Sequence, residues 1–250
     1  MLLQEARDAG RRGVASGHAE RAALGEVVLD VDDQQCPGHV PSVRPRKEDE
    51  NGRVSNKVDF QKTLDAYRAK RGEFRVLDVP DQRYLMIDGH GDPNTPVFAA
   101  AVEQLYPVAY RLKFASKREL ARDYVVPPLE GLWWADDYAS FTDARDKSLW
   151  SWTLLILTPD WIPPELFAAV DPGSVRLETL SEGRCVQTLH VGSFDDEAPL
   201  LERMHTEVIP SQGLALTGLH HEIYLSDPRR VAPEKRRTIL RQPVVTIATT

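Results

Sequence analysis

Apolar and polar positions along the chain follow an order that occurs twice. From Asn56, which is placed to cap a helix, Phe60, Leu64 and Tyr67 recur at helical spacing and Gly72 marks a stop, so a packing helix is predicted there. Two β-rich runs come next, Phe74–Val79 and Arg83–Asp88, parted by Pro80-Asp81. The turn Gly89–Asn94 leads into a helix predicted from Thr95 to about Phe114, with Val97, Ala101, Leu105 and Val108 on its inner stripe. Strands are predicted at Tyr124–Ala135 and Leu149–Leu157, on either side of the loop 136–147.

The second half follows the same order. Val175–Leu180 and Arg184–Val191 read as β-runs, and a helix capped by Asp195 or Asp196 extends to about Gln212. A strand at Gly218–Leu225, a helical turn at Pro233–Thr238 and a closing run at Pro243–Ala248 complete it. A β-α-β-β module is thus predicted at about 74–160 and again at about 174–248. Short matches support the duplication. Asp88-Gly89-His90-Gly91-Asp92 parallels Leu189-His190-Val191-Gly192-Ser193, and Pro128-Leu129-Glu130-Gly131-Leu132 parallels His220-His221-Glu222-Ile223-Tyr224. The second match aligns Glu130 with Glu222. Duplication of this kind predicts an α+β domain with pseudo-twofold symmetry and a cleft between related halves, where ligand sites commonly lie.

Residues 1–59 contain no Phe, Trp or Tyr, and they run through Pro37, Pro41 and Pro45 into the charged stretch Arg46–Glu50. Such a segment has too little apolar bulk to offset the entropy of ordering, so 1–53 is expected to be a disordered tail, or to lie upstream of a true start at Val54. The domain is then 54–250. A net charge of -7 argues against nucleic acid, which needs Lys and Arg along the phosphates, and against an anionic membrane surface. No apolar run approaches the ~20 residues of a spanning helix. Cys36 and Cys185 make no disulfide framework, and no secretory signal opens the chain, so a soluble cytoplasmic protein is expected.

All five tryptophans, Trp133, Trp134, Trp150, Trp152 and Trp161, fall in one stretch. Paired strands bring some of them together as a core cluster. Adjacent Trp133 and Trp134 point to opposite faces, however, so at least one is expected to line a cleft and offer its ring to flat apolar molecules or organic cations. Glu130 and Glu222, each among apolar neighbours, are the acidic candidates. Each reads either as half of a salt bridge or as a general acid or base. The adjacent His220-His221 face opposite ways and have no metal-ligand spacing, so no metal site and no cofactor are expected.

The segments Leu85–Asn94, Pro128–Trp134, Leu189–Glu197 and His220–Arg230 resemble the GyrI-like small-molecule-binding family over about Val54 to Val245. That resemblance implies tandem β-α-β-β modules forming a sheet with a central ligand groove. It also implies a stand-alone protein, since no DNA-binding helix-turn-helix precedes the domain. Its groove would take lipophilic, often cationic compounds on a buried glutamate and aromatics. By motif these are Glu222 with Trp133, Trp134, Trp150, Trp152, Tyr138 and Tyr224, to which His190 is added. One branch of the family hydrolyses reactive electrophiles such as cyclopropanoid DNA-alkylating agents. By that resemblance Glu130 or Glu222 would activate water as the catalytic residue. The expected partner is a small molecule.

Overall fold

The computed structural model describes residues 57–137 and 146–247. The expected tail 1–53 and Tyr138 lie outside them. Helix α1 (Phe60–Thr63) opens the described chain, followed by strands β1 (Arg75–Val79) and β2 (Gln82–His90), the long helix α2 (Pro96–Glu119), and strands β3 (Glu130–Trp134) and β4 (Ser151–Thr158). After a short helix α3 (Pro164–Ala169), strands β5 (Arg176–Leu180) and β6 (Gly183–Val191) repeat the lengths and spacing of β1 and β2. Helices α4 (Ala198–Arg203) and α5 (Ile209–Ser211) flank a π-helical turn at Met204–Val208, and strands β7 (Leu214–Leu216), β8 (His220–Tyr224) and β9 (Arg237–Thr246) close the chain.

The nine strands form one antiparallel sheet in the order β1-β6-β9-β8-β3-β4-β2-β5, with β7 beside β9. The α+β class and the duplicated architecture are therefore as expected, and the pseudo-twofold axis passes between β8 and β3. The first strand of each half joins the other half: β1 pairs with β6, and β5 pairs with β2. Only Pro80-Asp81 separates β1 from β2, and only Ser181-Glu182 separates β5 from β6. Those connectors draw the two ends of the sheet together, because three peptide units reach at most about 11 Å. The sheet therefore curls around an inner face.

Three local expectations are corrected. The helix predicted from Asn56 is only α1 and a 3-10 turn at Asp65–Tyr67, since backbone oxygens a helix would use internally are taken by other groups: Ala66 O accepts from Arg241 and Arg68 O accepts from Gln187. The strand predicted from Tyr124 begins at Glu130, because Pro127 and Pro128 have no N–H for a ladder, although Tyr124 bridges to Val58. The second-half helix widens into its π turn just before Pro210. That proline supplies no helical N–H, and the wider turn is where Ile209 N reaches back to Met204 O.

Period-2 alternation divides the core into two faces. On the outer face, Leu105 and Leu112 of α2 pack on Leu85, Ile87, Leu154 and Ile156 of β2 and β4. The second-half helix sets Met204 and Ile209 against Val186 and Leu240 of β6 and β9. On the inner face, Tyr67 joins Tyr84, Met86, Leu132, Leu155, Ile223 and Ile239. The helices thus sit over the flanking strands, with the central pair β3–β8 between them.

Candidate functional site

The register of the central pair decides which side chains share a face. Glu130 pairs with Ile223, Gly131 with Glu222, Leu132 with His221, and Trp133 with His220. The outer face of β3–β8 accordingly carries Gly131, Trp133, His220, Glu222 and Tyr224. The inner face carries Glu130, Leu132 and His221. Glu130 and Glu222 do not enter one cleft. Matching the halves through β4 and β9 makes His221, not Glu222, the pseudo-symmetry mate of Glu130. The motif alignment was one residue out of step, and in a strand one step exchanges the faces.

Aromatic rings wall the outer face. Phe98 of α2 stacks on Trp133 at 6.1 Å, and Trp150 meets Trp133 edge-on at 6.0 Å. Trp133 Nε1 donates to the Tyr224 hydroxyl at 3.1 Å, a crossing that Gly131 permits. A Cβ there would come within 2.8 Å of Trp133 Nε1 and 3.0 Å of the Tyr224 oxygen. From the second half, Phe194 lies edge-on to Tyr224 at 5.6 Å, and His205 of the π turn lies edge-on to His220 at 6.3 Å.

Both signs of charge meet this face: Lys147 Nζ lies 5.8 Å over the Trp150 ring and Arg236 Cζ 5.5 Å over the Phe194 ring, while the strands themselves present a carboxylate. Glu222 Oε1 stands 3.6 Å from His220 Nε2, and each side chain is about 15% exposed. Burial, then Glu222, hold the Tyr224 hydroxyl well above the usual phenol range, and the Glu197 carboxylate adds to the effect. Tyr224 therefore stays protonated and serves as donor or acceptor. Burial, with His220 next to it, pushes the His205 imidazole down to about 4.

The remaining predicted residues divide by face. Trp152 is fully buried under α2, its indole N–H donating to Gly91 O at 3.2 Å, and a Cβ on Gly89 opposite would collide with its ring. Trp134 lies on the inner face with Leu132. His190 is on the outer side of β6, with Nε2 2.9 Å from Ser193 O, and so fixes the turn that presents Phe194. Phe98, Phe194, Glu197, His205 and His220 were not predicted to line the site. Alternation from Glu222 and Tyr224 already places His220 beside them, whereas the other four need the tertiary packing of the helices.

Glu130 belongs to a different structure. Its carboxylate, shielded from solvent, accepts from Tyr67 Oη at 2.5 Å and pairs with His221 Nε2 at 2.9 Å. His221 Nδ1 lies 2.9 Å from Glu182, and Glu182 pairs with Arg241 at 2.7 Å. Burial alone would depress the His221 imidazole, yet Glu182 and Glu130 hold it up at about 9. Burial opposes ionisation of Glu182, but His221 and Arg241 bring its carboxyl down to about 2. Two anions and two cations are thus interlocked inside the curled sheet.

The architecture and its aromatic, glutamate-bearing strand pair define a ligand-binding α+β domain. Residues 72–244 match the model of the GyrI-like small molecule binding domain, and the chain belongs to that family. Its partner class is therefore a small molecule. An uncharacterized conserved protein from Listeria innocua is 39% identical, with a TM-score of 0.69 over 76% of this chain and 100% of its own. Two structures from Listeria innocua described as hydrolases are each 36% identical over the same shares, with TM-scores of 0.66 and 0.68. No curated protein matches the chain. Among the described residues, no helix is long and apolar enough to cross a membrane.

Proposed function

We propose that the outer face of β3–β8 is a groove that sequesters flat lipophilic molecules, organic cations among them, with Glu222 as the charged contact. The convergence of Trp133, Tyr224 and Glu222 carries this reading. Ring faces attract apolar rings and cations by roughly 0.5–2 kcal/mol per contact, and a partly desolvated carboxylate adds an attraction that only the cation feels. Titration calorimetry with N-methylquinolinium and neutral quinoline tests it. Wild type is expected to favour the cation and Glu222→Gln to lose that preference. Failure of both compounds to bind wild type rejects the reading.

A second reading is hydrolysis of strained electrophiles such as cyclopropanoids. It is favoured by Glu222 standing beside His220 on an aromatic wall, and by the hydrolase descriptions of the two Listeria innocua proteins. Glu222 would take a proton from water as its oxygen bonds to a ring carbon. The ring C–C bond breaks, and its electron pair passes into the conjugated carbonyl system, which is then protonated. A positioned base contributes typically ~10²–10⁴-fold. Glu130 would act from the inner face, by holding His221 and hence β8. Mass spectrometry should show a product heavier by one water. No turnover by wild type, or unchanged turnover in both Glu222→Gln and Glu130→Gln, rejects this reading.

A further inference from the structure

We infer that the His220 end of the groove is a polar subsite, selecting aromatic ligands that carry a hydrogen-bonding group such as a carboxamide. This rests on the groove reading above and specifies its ligand class. His220 opens β8 opposite Trp133, so its ring shares a face with Glu222 and Tyr224 and adjoins the indole wall. Both ring nitrogens are shielded from water, and among the described residues neither has a hydrogen-bond partner. The Glu222 oxygen 3.6 Å from Nε2 is too distant to be one.

Other histidines of the sheet are committed. His190 is tied to Ser193 O, His90 to the Ser151 hydroxyl at 3.1 Å, and His221 to two carboxylates. A shielded donor and acceptor left unbonded raise the free energy of the empty protein, and a ligand supplying the complement recovers it. In either tautomer a neutral imidazole has one N–H and one bare nitrogen. A carboxamide satisfies both cases, since its carbonyl accepts and its N–H donates. The surroundings point the same way. His205 reaches His220 from the π-helical turn, a distortion often found at functional sites, and burial keeps its imidazole neutral at pH 7. His205 therefore adds no second cation to repel a cationic ring held by Glu222.

Calorimetry with N-methylquinolinium and its 3-carboxamide, on wild type, His220→Phe and His220→Gln, tests the subsite. Wild type is expected to bind the carboxamide about tenfold more tightly than the parent ring. His220→Phe, which keeps a ring against His205, should bring that ratio to about one. His220→Gln, which keeps a donor and an acceptor, should preserve several-fold selectivity. A ratio near one in wild type, or the wild-type ratio persisting in His220→Phe, overturns the subsite while leaving the groove intact. Failure of both compounds to bind wild type overturns the groove and the subsite together.

Discussion

On the inner face of the central strands, Glu130, His221, Glu182 and Arg241 are bonded each to the next, with Tyr67 closing one end and Ala66 O the other. On the outer face, one residue along the same strands, Glu222 meets Tyr224 and stands 3.6 Å from a histidine whose nitrogens have no hydrogen-bond partner among the described residues. Both faces hold a glutamate, a histidine and a tyrosine. The inner set is interlocked ion to ion at 2.7–2.9 Å, so it serves cohesion. The outer set, between aromatic walls, is the one to which we assign the ligand. The pleat of β3 and β8 separates the two tasks, although adjacent residues perform them.

The largest break in this contrast is on the inner face. Arg241→Ala leaves Glu182 buried beside one cation fewer and should destabilise by ~3–5 kcal/mol, read as a lowered denaturant midpoint. An unchanged midpoint would mean that the network contributes no cohesion. Gly131→Ala acts on the outer face, where the new Cβ crowds Trp133 and Tyr224. We expect ~1–3 kcal/mol of destabilisation and loss of ligand affinity, the second distinguishing it from Arg241→Ala. Glu222→Gln should leave the unfolding midpoint within ~0.5 kcal/mol while weakening cation binding about tenfold, or ~1.4 kcal/mol. A large stability loss there would erase the distinction between the faces.

The contrast also predicts a pH profile with a limb for each face. His221 titrates near 9 when folded against an ordinary 6.5, so its stabilisation is complete below 6.5 and is lost as pH rises through 9. Glu182 titrates near 2 against an ordinary 4.5, so its contribution is complete above 4.5 and disappears as pH falls through 2. His205, depressed to about 4, favours the unfolded chain as pH falls from 6.5 towards 4. Stability should therefore peak near pH 6.5. Thermal melts across pH should show His205→Phe flattening the upper acid limb and Glu182→Gln flattening the lower one. If both variants keep the wild-type profile, other groups set it.

Much of the fold was legible in the chain, because alternating apolar runs and the repeated β-α-β-β order are local signals. The exchange of β1 and β5 was not, since Pro80-Asp81 reads equally well as the turn of a simple hairpin. At the site, Glu222, Tyr224 and Trp133 emerged from alternation beside aromatics. Glu130 was grouped with Glu222 because the motif match ignored register, and only inter-strand pairing reveals that slip. Arg241 fell outside the strand expected from Pro243. Glu182 lies in a two-residue connector, where nothing local foretells a buried carboxylate. Tyr67 was expected on a packing helix, and its role depends on groups far along the chain.

The exchanged strands have a mechanical consequence. Since β1 is laced into the second half and β5 into the first, the halves are clasped like linked arms, and neither can be cut away as an independently folding piece. Their pairings join residues far apart in sequence, as with Arg75 and Gln187, so assembly should be slow for a chain of this size. The sheet cannot gape like a two-lobed clamp when a ligand enters. A ligand of the proposed groove would then have to be admitted by the helices that lie over the sheet, with Phe98 on one bank and His205 on the other.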